Sequence, residues 1–320
     1  MHYLKLHNLL KQHNLLKRTY TYYIITSALV TLSFVATWIA IFYIQSTVAR
    51  IFLAILLGII CVHFGFIAHD AGHKAITNNK TVNNLIGLIT MPVINGISWQ
   101  YWNNHHNEHH KDPNHPNDPD VNYLIVAFTP EQIGKNKFLR WCHKHQHKLF
   151  VPMHLFTIFS MNVSAFKYCI KKMKFGEIPL MLIHFAAWTV LPAYFIGTGQ
   201  ALMIFFISAI TRGFYFSAVF VPNHTGMPMF KHEHKLDYFQ KQILTARNLK
   251  PSMITDFMFG GLNYQIEHHI FPTLSRKNLK KAAKIVREYC IKHAISYKET
   301  TVMQSYKEIL AHVKKISTLA

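Results

Sequence analysis

Trp99-Gln-Tyr-Trp-Asn-Asn-His-His-Asn-Glu-His-His110 holds four histidines in six residues. His106, His109 and His110 stand at i, i+3 and i+4. On a helix those positions share one face, so their imidazoles can converge. Two other stretches have comparable spacing. His69-Asp-Ala-Gly-His73 lies upstream, and Gln265-Ile-Glu-His268-His269 lies far downstream. Neutral imidazole is the commonest nitrogen donor to transition metals. Three separated clusters at ligand spacing therefore point to a metal centre.

Working outward, apolar runs frame these clusters. Half of the 320 residues are hydrophobic and 15% are charged, against roughly 25% charged in an average soluble chain. Residues 22–44, 50–68, 178–196 and 200–221 are each long enough to cross the ~30 Å hydrocarbon layer as a helix. The second run leads straight into His69, and the fourth ends at Asn223-His224. The expectation is an all-α, single-domain polytopic membrane protein with four transmembrane helices and a histidine-rich cap formed by 69–177 and 222–320. Residues 83–98 are apolar but short, which suits an interfacial or re-entrant segment. Residues 111–148, rich in Pro, Asn and Asp and then basic, read as loop. An apolar helix of uncertain depth follows at 149–166. Arg212 lies inside the fourth run, where a charge is costly, so it either snorkels or sits where that helix protrudes into the cap.

The charge is uneven, with 34 Lys and Arg against 14 Asp and Glu. The basic segments are the N-terminus, 69–177 and the last third. Loops carrying Lys and Arg stay on the cytoplasmic side, so four spans put both termini and every histidine cluster there. No nucleic-acid motif accompanies the positive charge, and membrane lipids are the expected partner. The repeat Leu6-His-Asn-Leu-Leu-Lys11, Gln12-His-Asn-Leu-Leu-Lys17 makes residues 1–20 a basic amphipathic tail suited to the headgroup layer. Residues 275–294 form a second basic amphipathic helix, with Leu279, Ala282, Ala283, Val286 and Cys290 on one stripe. Cys61, Cys142, Cys169 and Cys290 are scattered and include no C-x-x-C pair, which argues against disulfides and cysteine zinc sites.

His69, His73, His106, His109, His110, His268 and His269, with His224 as an eighth, exceed what one tetrahedral zinc takes and suit two ions. Iron accepts imidazole and keeps positions open for dioxygen. Ligating histidines usually hold their second N–H on a carboxylate or carbonyl. Asp70, Glu108, Glu267 and Asp256 are near enough in sequence for that role. Gln265 stands where a strict H-x-x-H-H box would have histidine, so it either ligates or holds a water. Other histidines carry no such pattern. His143, His145 and His147, like His232 and His234, read as exposed basic surface. His63 and His184 read as packed within spans, and His105 as a neighbour of the centre or an uninvolved residue. Trp99, Tyr101 and Trp102 read equally as interfacial anchors or tunnel lining.

With these residues in place, a resemblance can be stated. His69-Asp-Ala-Gly-His73, His106-Asn-Glu-His-His110 and Gly260-Gly-Leu-Asn-Tyr-Gln-Ile-Glu-His-His-Ile-Phe-Pro272 resemble the three histidine boxes of the membrane fatty acid desaturase family. The likeness runs from about 50 to 298 and is nearest to bacterial acyl and front-end desaturases, whose third box begins with glutamine. It includes Ala246-Arg-Asn-Leu249 before the third box. The resemblance implies two irons on the eight histidines, a four-helix membrane stem, a cytosolic cap and a tunnel that bends the acyl chain at the metals. Dioxygen and two electrons would then give a cis double bond in a lipid- or thioester-bound acyl chain. Many front-end members carry a fused haem domain with an H-P-G-G motif, and none occurs in these residues. The expected electron donor is therefore a separate ferredoxin- or cytochrome-type protein.

Three other readings compete. The same boxes serve lipid hydroxylases and related membrane oxidases. His105-His-Asn-Glu108-His109 formally matches the H-x-x-E-H zinc protease signature, which has no use for the first and third boxes. A metal transporter would carry its ligands inside the spans, whereas these lie at span ends.

Overall fold

The computed structural model describes residues 2–230 and 236–320. The structure is mostly helical, in the order α1 His2–Gln12, α2 Tyr20–Tyr43, α3 Thr47–Gly72, α4 Lys80–Leu88, α5 Trp99–Lys111, α6 Lys137–Met153, α7 Thr157–Lys171, α8 Ile178–Trp188, α9 Val190–Ile196, α10 Thr198–His224, α11 Tyr238–Leu244, α12 Met253–Met258, α13 Gln265–Ile270, α14 Arg276–Lys292 and α15 Val302–Ser317. Two-residue strands β1 (Asn248–Leu249) and β2 (Glu299–Thr300) pair in parallel. The chain forms two compact units. The first comprises Met1–Lys17, His105–Met153 and Ala218–Ala320, and the second Arg18–Asn104 and His154–Ser217.

Among the described residues, five helical stretches are long and apolar enough to cross a membrane: 20–43, 47–72, 137–171, 175–196 and 198–224. That is one more than the four expected. The addition is α6 and α7 joined through a single 3-10 turn at His154–Phe156. The basic stretch 137–148, expected to be loop, is helical. Its Cys142, His143, Gln146 and Phe150 are buried at positions that fall on one helical face, so the helical period was present beneath the polar composition. His143 is buried rather than a surface residue, and its Nδ1 accepts from the Gly134 amide at 3.0 Å. The run read as one span at 178–196 is broken at Thr189. Pro192 has no N–H to give the carbonyl four residues back and its ring crowds that turn.

In the second unit, apolar side chains of α2, α3 and α5 pack with those of α7, α8 and α10, including Tyr23, Phe64, Ile67, Trp99, Trp102, Ile158 and Met181. Trp99 and Trp102 stack at 5.7 Å between centroids and are buried, so they belong to this core and are not interfacial anchors. His184 and His63 are packed as expected, with ring nitrogens 3.2 Å from the Val93 carbonyl and 3.4 Å from the Tyr215 hydroxyl. Arg212 neither snorkels nor protrudes. It is 1% exposed, with its guanidinium 4.8 Å from the Trp188 ring centroid.

In the first unit, α1 lays Leu6 and Leu10 against Leu279, Ala282, Val286 and Cys290 of α14. The leucine face that suggested a headgroup-layer segment is thus covered by protein. The amphipathic stripe of α14 is buried as its spacing predicts. A second core joins Val121, Val126, Phe128 and Phe150 to Ile309 and Val313 of α15.

Candidate metal centre

The Ser98 hydroxyl accepts from the Tyr101 amide at 3.0 Å, and the Glu177 carboxylate lies 3.3 Å from the Gln100 amide. A capping oxygen and a negative charge at this end both favour the helix. The opposite end of α5 carries His109, His110 and Lys111. Within the first unit, α5 and α13 sort their histidines into two groups. His106, His110 and His268 form one, with Nε2 of His110 3.1 Å from that of His106 and 3.0 Å from that of His268. His109, His224 and His269 form the other, with the Nε2 atoms of His224 and His269 3.0 Å apart. All except His110 and His224 are under 9% exposed.

Two adjacent residues on a helix point about 100° apart. His109 and His110 therefore enter different groups, and so do His268 and His269. Each His-His pair is a fork between the two groups.

The far side of each ring in the second group is fixed. The His224 Nδ1 is 3.0 Å from the Thr245 carbonyl, which can only accept. The His269 Nδ1 is 2.8 Å from Oε1 of Gln242, whose amide orientation is set by Nε2 donating to the His110 carbonyl at 2.9 Å. Both Nδ1 atoms therefore carry hydrogen, which turns the Nε2 lone pairs inward. Facing lone pairs at 3.0 Å repel unless a cation or a donor lies among them. The Gln265 Nε2 lies 2.9 Å from the His224 Nε2. This donor set suits a cation, and all-imidazole ligation suits a first-row transition metal.

Charge points the same way. The His109 Nδ1 sits 2.9 and 3.0 Å from the two Asp118 oxygens and 3.4 Å from Asp120. Burial alone would depress His109, but the Asp120 and Asp118 carboxylates together push it up to about 9. Asp120 also takes the His105 Nε2 at 2.7 Å. Burial opposes its charge, and these two histidines outweigh that and hold it well below the ordinary carboxylate range.

The expected supporting carboxylates divide. In the second unit, Asp70 holds the His69 Nδ1 at 3.1 Å and accepts from the Tyr23 hydroxyl at 3.0 Å. The rings of His69 and His73 lie 4.8 Å apart at the end of α3. Glu108 points away from the histidines; its side chain is 55% exposed and 3.9 Å from the Lys111 ammonium. Glu267 is buried but contacts Asn248 and Tyr297, at 2.7 and 3.0 Å. Burial outweighs those bonds and pushes its carboxyl up to about 7. Because Asn248 also accepts from the Ile266 amide, Glu267 ties α13 to β1. Asp256 holds Asn263, Tyr264 and Lys280. The residues that sequence reasoning missed are Asp118, Asp120 and Gln242. The first two lay in Asn117-Asp-Pro-Asp120, whose composition read only as loop. His232 and His234 lie outside the described residues.

A family model described as "Fatty acid desaturase" matches residues 46–301. The chain belongs to the fatty acid desaturase family. It is 28% identical to Fatty acid desaturase 3 of Bos taurus over 88% of this chain and 65% of that protein. It is 24% identical to the Fatty acid desaturase 2-like protein FADS2B of Mus musculus, over 89% and 60%. It is 30% identical to the Delta(6)-fatty-acid desaturase fat-3 of Caenorhabditis elegans, over 98% and 74%. The chain thus spans less than two thirds of the length of the two mammalian relatives. Family membership and the long apolar helices make it a membrane protein.

Proposed function

We propose that the protein desaturates long fatty acyl chains, introducing a cis double bond at a di-iron centre. The observation that carries this reading is the pair of buried histidine groups, with ring nitrogens turned inward by fixed acceptors. His106, His110 and His268 would hold one iron, and His109, His224 and His269 the other. Family resemblance adds His69 and His73 of the first box. Iron bound there supplies the activation of dioxygen. Overall, one dioxygen, two electrons and two protons convert –CH2–CH2– to –CH=CH– and two waters. The electrons come from a separate ferredoxin- or cytochrome-type donor.

The chain's own residues do the holding. Asp118, Thr245 and Gln242 keep three imidazoles in the tautomer that presents Nε2. Asp118 and Asp120 add negative charge beside a dication, and Asp70 does the same for His69 through its Nδ1. Gln265, 2.9 Å from the His224 Nε2, either donates its amide there or turns its oxygen to a bound ion or water. Lys and Arg placement supports a cytoplasmic cap with both termini on that side; this needs an even number of crossings, so the α6–α7 stretch, basic over 137–148, would stay on that side without crossing. That basic face would retain a phospholipid headgroup or a phosphate-bearing thioester.

The test is the fatty acid profile of a bacterial host supplied with iron and a matched reductase, beside a His268→Ala control. A new unsaturated species, two hydrogens lighter and lost in the control, is expected. Double-bond position is read by mass spectrometry, starting from the Delta(6) position named for the nematode relative. A product heavier by one oxygen would move the protein to the hydroxylases. Absence of both iron and product would overturn the di-iron reading.

A further inference from the structure

Short helix α11 contacts three of the six clustered histidines in the first unit. Its first turn is stabilised by Asp237, which accepts from the Gln240 amide at 2.8 Å. The Tyr238 hydroxyl donates to the His269 carbonyl at 2.7 Å. One turn on, Gln242 accepts from the His269 ring at 2.8 Å and donates to the His110 carbonyl at 2.9 Å. At the end of the helix the Thr245 carbonyl takes the His224 ring. Gln242 has no solvent exposure, so neither contact competes with water.

From this geometry we infer that Gln242 is a positioning residue that sets the tautomer of His269 and links the two histidine groups. The inference rests on the metal-centre reading and deepens it. Two requirements make glutamine specific here. The acceptor on His269 must be an oxygen, because a donor there would push the hydrogen to Nε2 and block ligation. The group on the His110 carbonyl must be a donor. A side-chain amide meets both at once, and the His110 contact stops the amide from flipping. His110 belongs to one group and His269 to the other, so one buried side chain holds both in register. Partners of this kind typically govern metal affinity by about 10–100-fold.

The test uses the full chain in detergent, stripped of metal and titrated anaerobically with Fe(II), and separately with Co(II), whose visible spectrum reports imidazole ligation. Gln242→Met keeps the volume but loses both bonds, and is expected to weaken binding by about 10–100-fold. Gln242→Glu retains an acceptor for His269 but sets an oxygen against the His110 carbonyl, so it should bind more tightly than Gln242→Met and more weakly than wild type. Gln146 is the structural control. It is equally buried in the same unit but bonds the Ala127 backbone, so Gln146→Met should cost stability and leave metal affinity unchanged.

Wild-type affinity in Gln242→Met overturns the inference, as does an equal loss of affinity in Gln146→Met. If Gln242→Met does not fold, Gln242→Glu decides, and wild-type affinity there overturns it. Co(II) binding without Fe(II) binding sinks the iron assignment and leaves the Gln242 comparison readable. Binding of neither metal overturns both.

Discussion

Replacing Asp118 by asparagine tests the electrostatic design of the centre. The Asp118 side chain is fully buried. Its two oxygens accept from the His109 ring at 2.9 and 3.0 Å, the Asn114 amide at 2.8 Å and the Asp120 amide at 2.9 Å. In the metal-free protein, His109 titrates at about 9 against an ordinary 6.5. A raised folded value means that the folded state holds the proton more tightly. The contribution to stability is therefore complete below pH 6.5 and is lost as pH rises through about 9. At 1.36 kcal/mol per unit, this shift sets a ceiling of about 3 kcal/mol. Glu267, raised from 4.5 to about 7, loses its own contribution between those values, so the window from pH 7 to 9 reports on His109 together with His105, which Asp120 also raises. Metal affinity should move oppositely there, because the ion displaces that proton. Asp118→Asn removes one of the two charges, and Asp120 remains, so roughly half of the slope should disappear. Asparagine also has one acceptor oxygen where three donors converge, so stability should fall by about 2 kcal/mol at pH 7. The assay is denaturant unfolding of the metal-stripped protein in detergent, from pH 6 to 9.5. Wild-type stability that is flat or rising between pH 7 and 9 would refute the reasoning, as would an unchanged slope in the variant.

Two further outcomes follow from the second unit. A Cβ added at Gly87 would overlap the Trp99 indole, so Gly87→Ala should destabilise by about 1–3 kcal/mol, measured as thermal unfolding in detergent. The disturbance should reach His69, because Trp99 stacks on Trp102 and Trp102 lies 5.8 Å from the His69 ring. Arg212 is fully buried, and its Nε and Nη1 have no hydrogen-bond partner among the described residues. A buried charge without full hydrogen bonding is costly, and the guanidinium has the Trp188 ring face against it, so Arg212→Met should unfold at the same temperature or higher. A marked drop would mean that the guanidinium has a counter-charge, and anion titration of the wild-type protein would then locate it.

The sequence was most readable where one physical demand dominated. Crossing hydrocarbon requires long uncharged runs; 22–44 overruns α2 by one residue, and 200–221 lies within α10. Converging imidazoles require helical spacing, and His106 and His110 meet as that spacing predicts. It was least readable where composition and period disagreed. Residues 137–148 look like a solvated basic loop, yet their buried positions follow a helix. The partners of the histidines were hidden for a different reason. Proximity in sequence favoured Glu108 and Glu267, but on a helix a residue adjacent to a ligand points elsewhere. Glu108 faces solvent, and Glu267 faces Asn248 and Tyr297. A carboxylate that reaches the back of a ligating ring must come from another segment. Asp118 does so from nine residues on, by way of a proline-rich turn.

That separation follows from the His-His motif itself. Two neighbouring imidazoles on a helix diverge by about 100°, so their rear nitrogens diverge too and no single residue beside them can hold both. The centre is accordingly braced by three separate pieces of chain: the Asn117-Asp-Pro-Asp120 turn behind His109, Gln242 behind His269 and the Thr245 carbonyl behind His224. Two of the three lie on α11 or at its end, a helix of seven residues with no box motif of its own. Box histidines name the donors, and the intervening polar segments decide which nitrogen each donor presents. In the proposed centre those segments would orient the donors, although only the boxes carry a recognisable pattern.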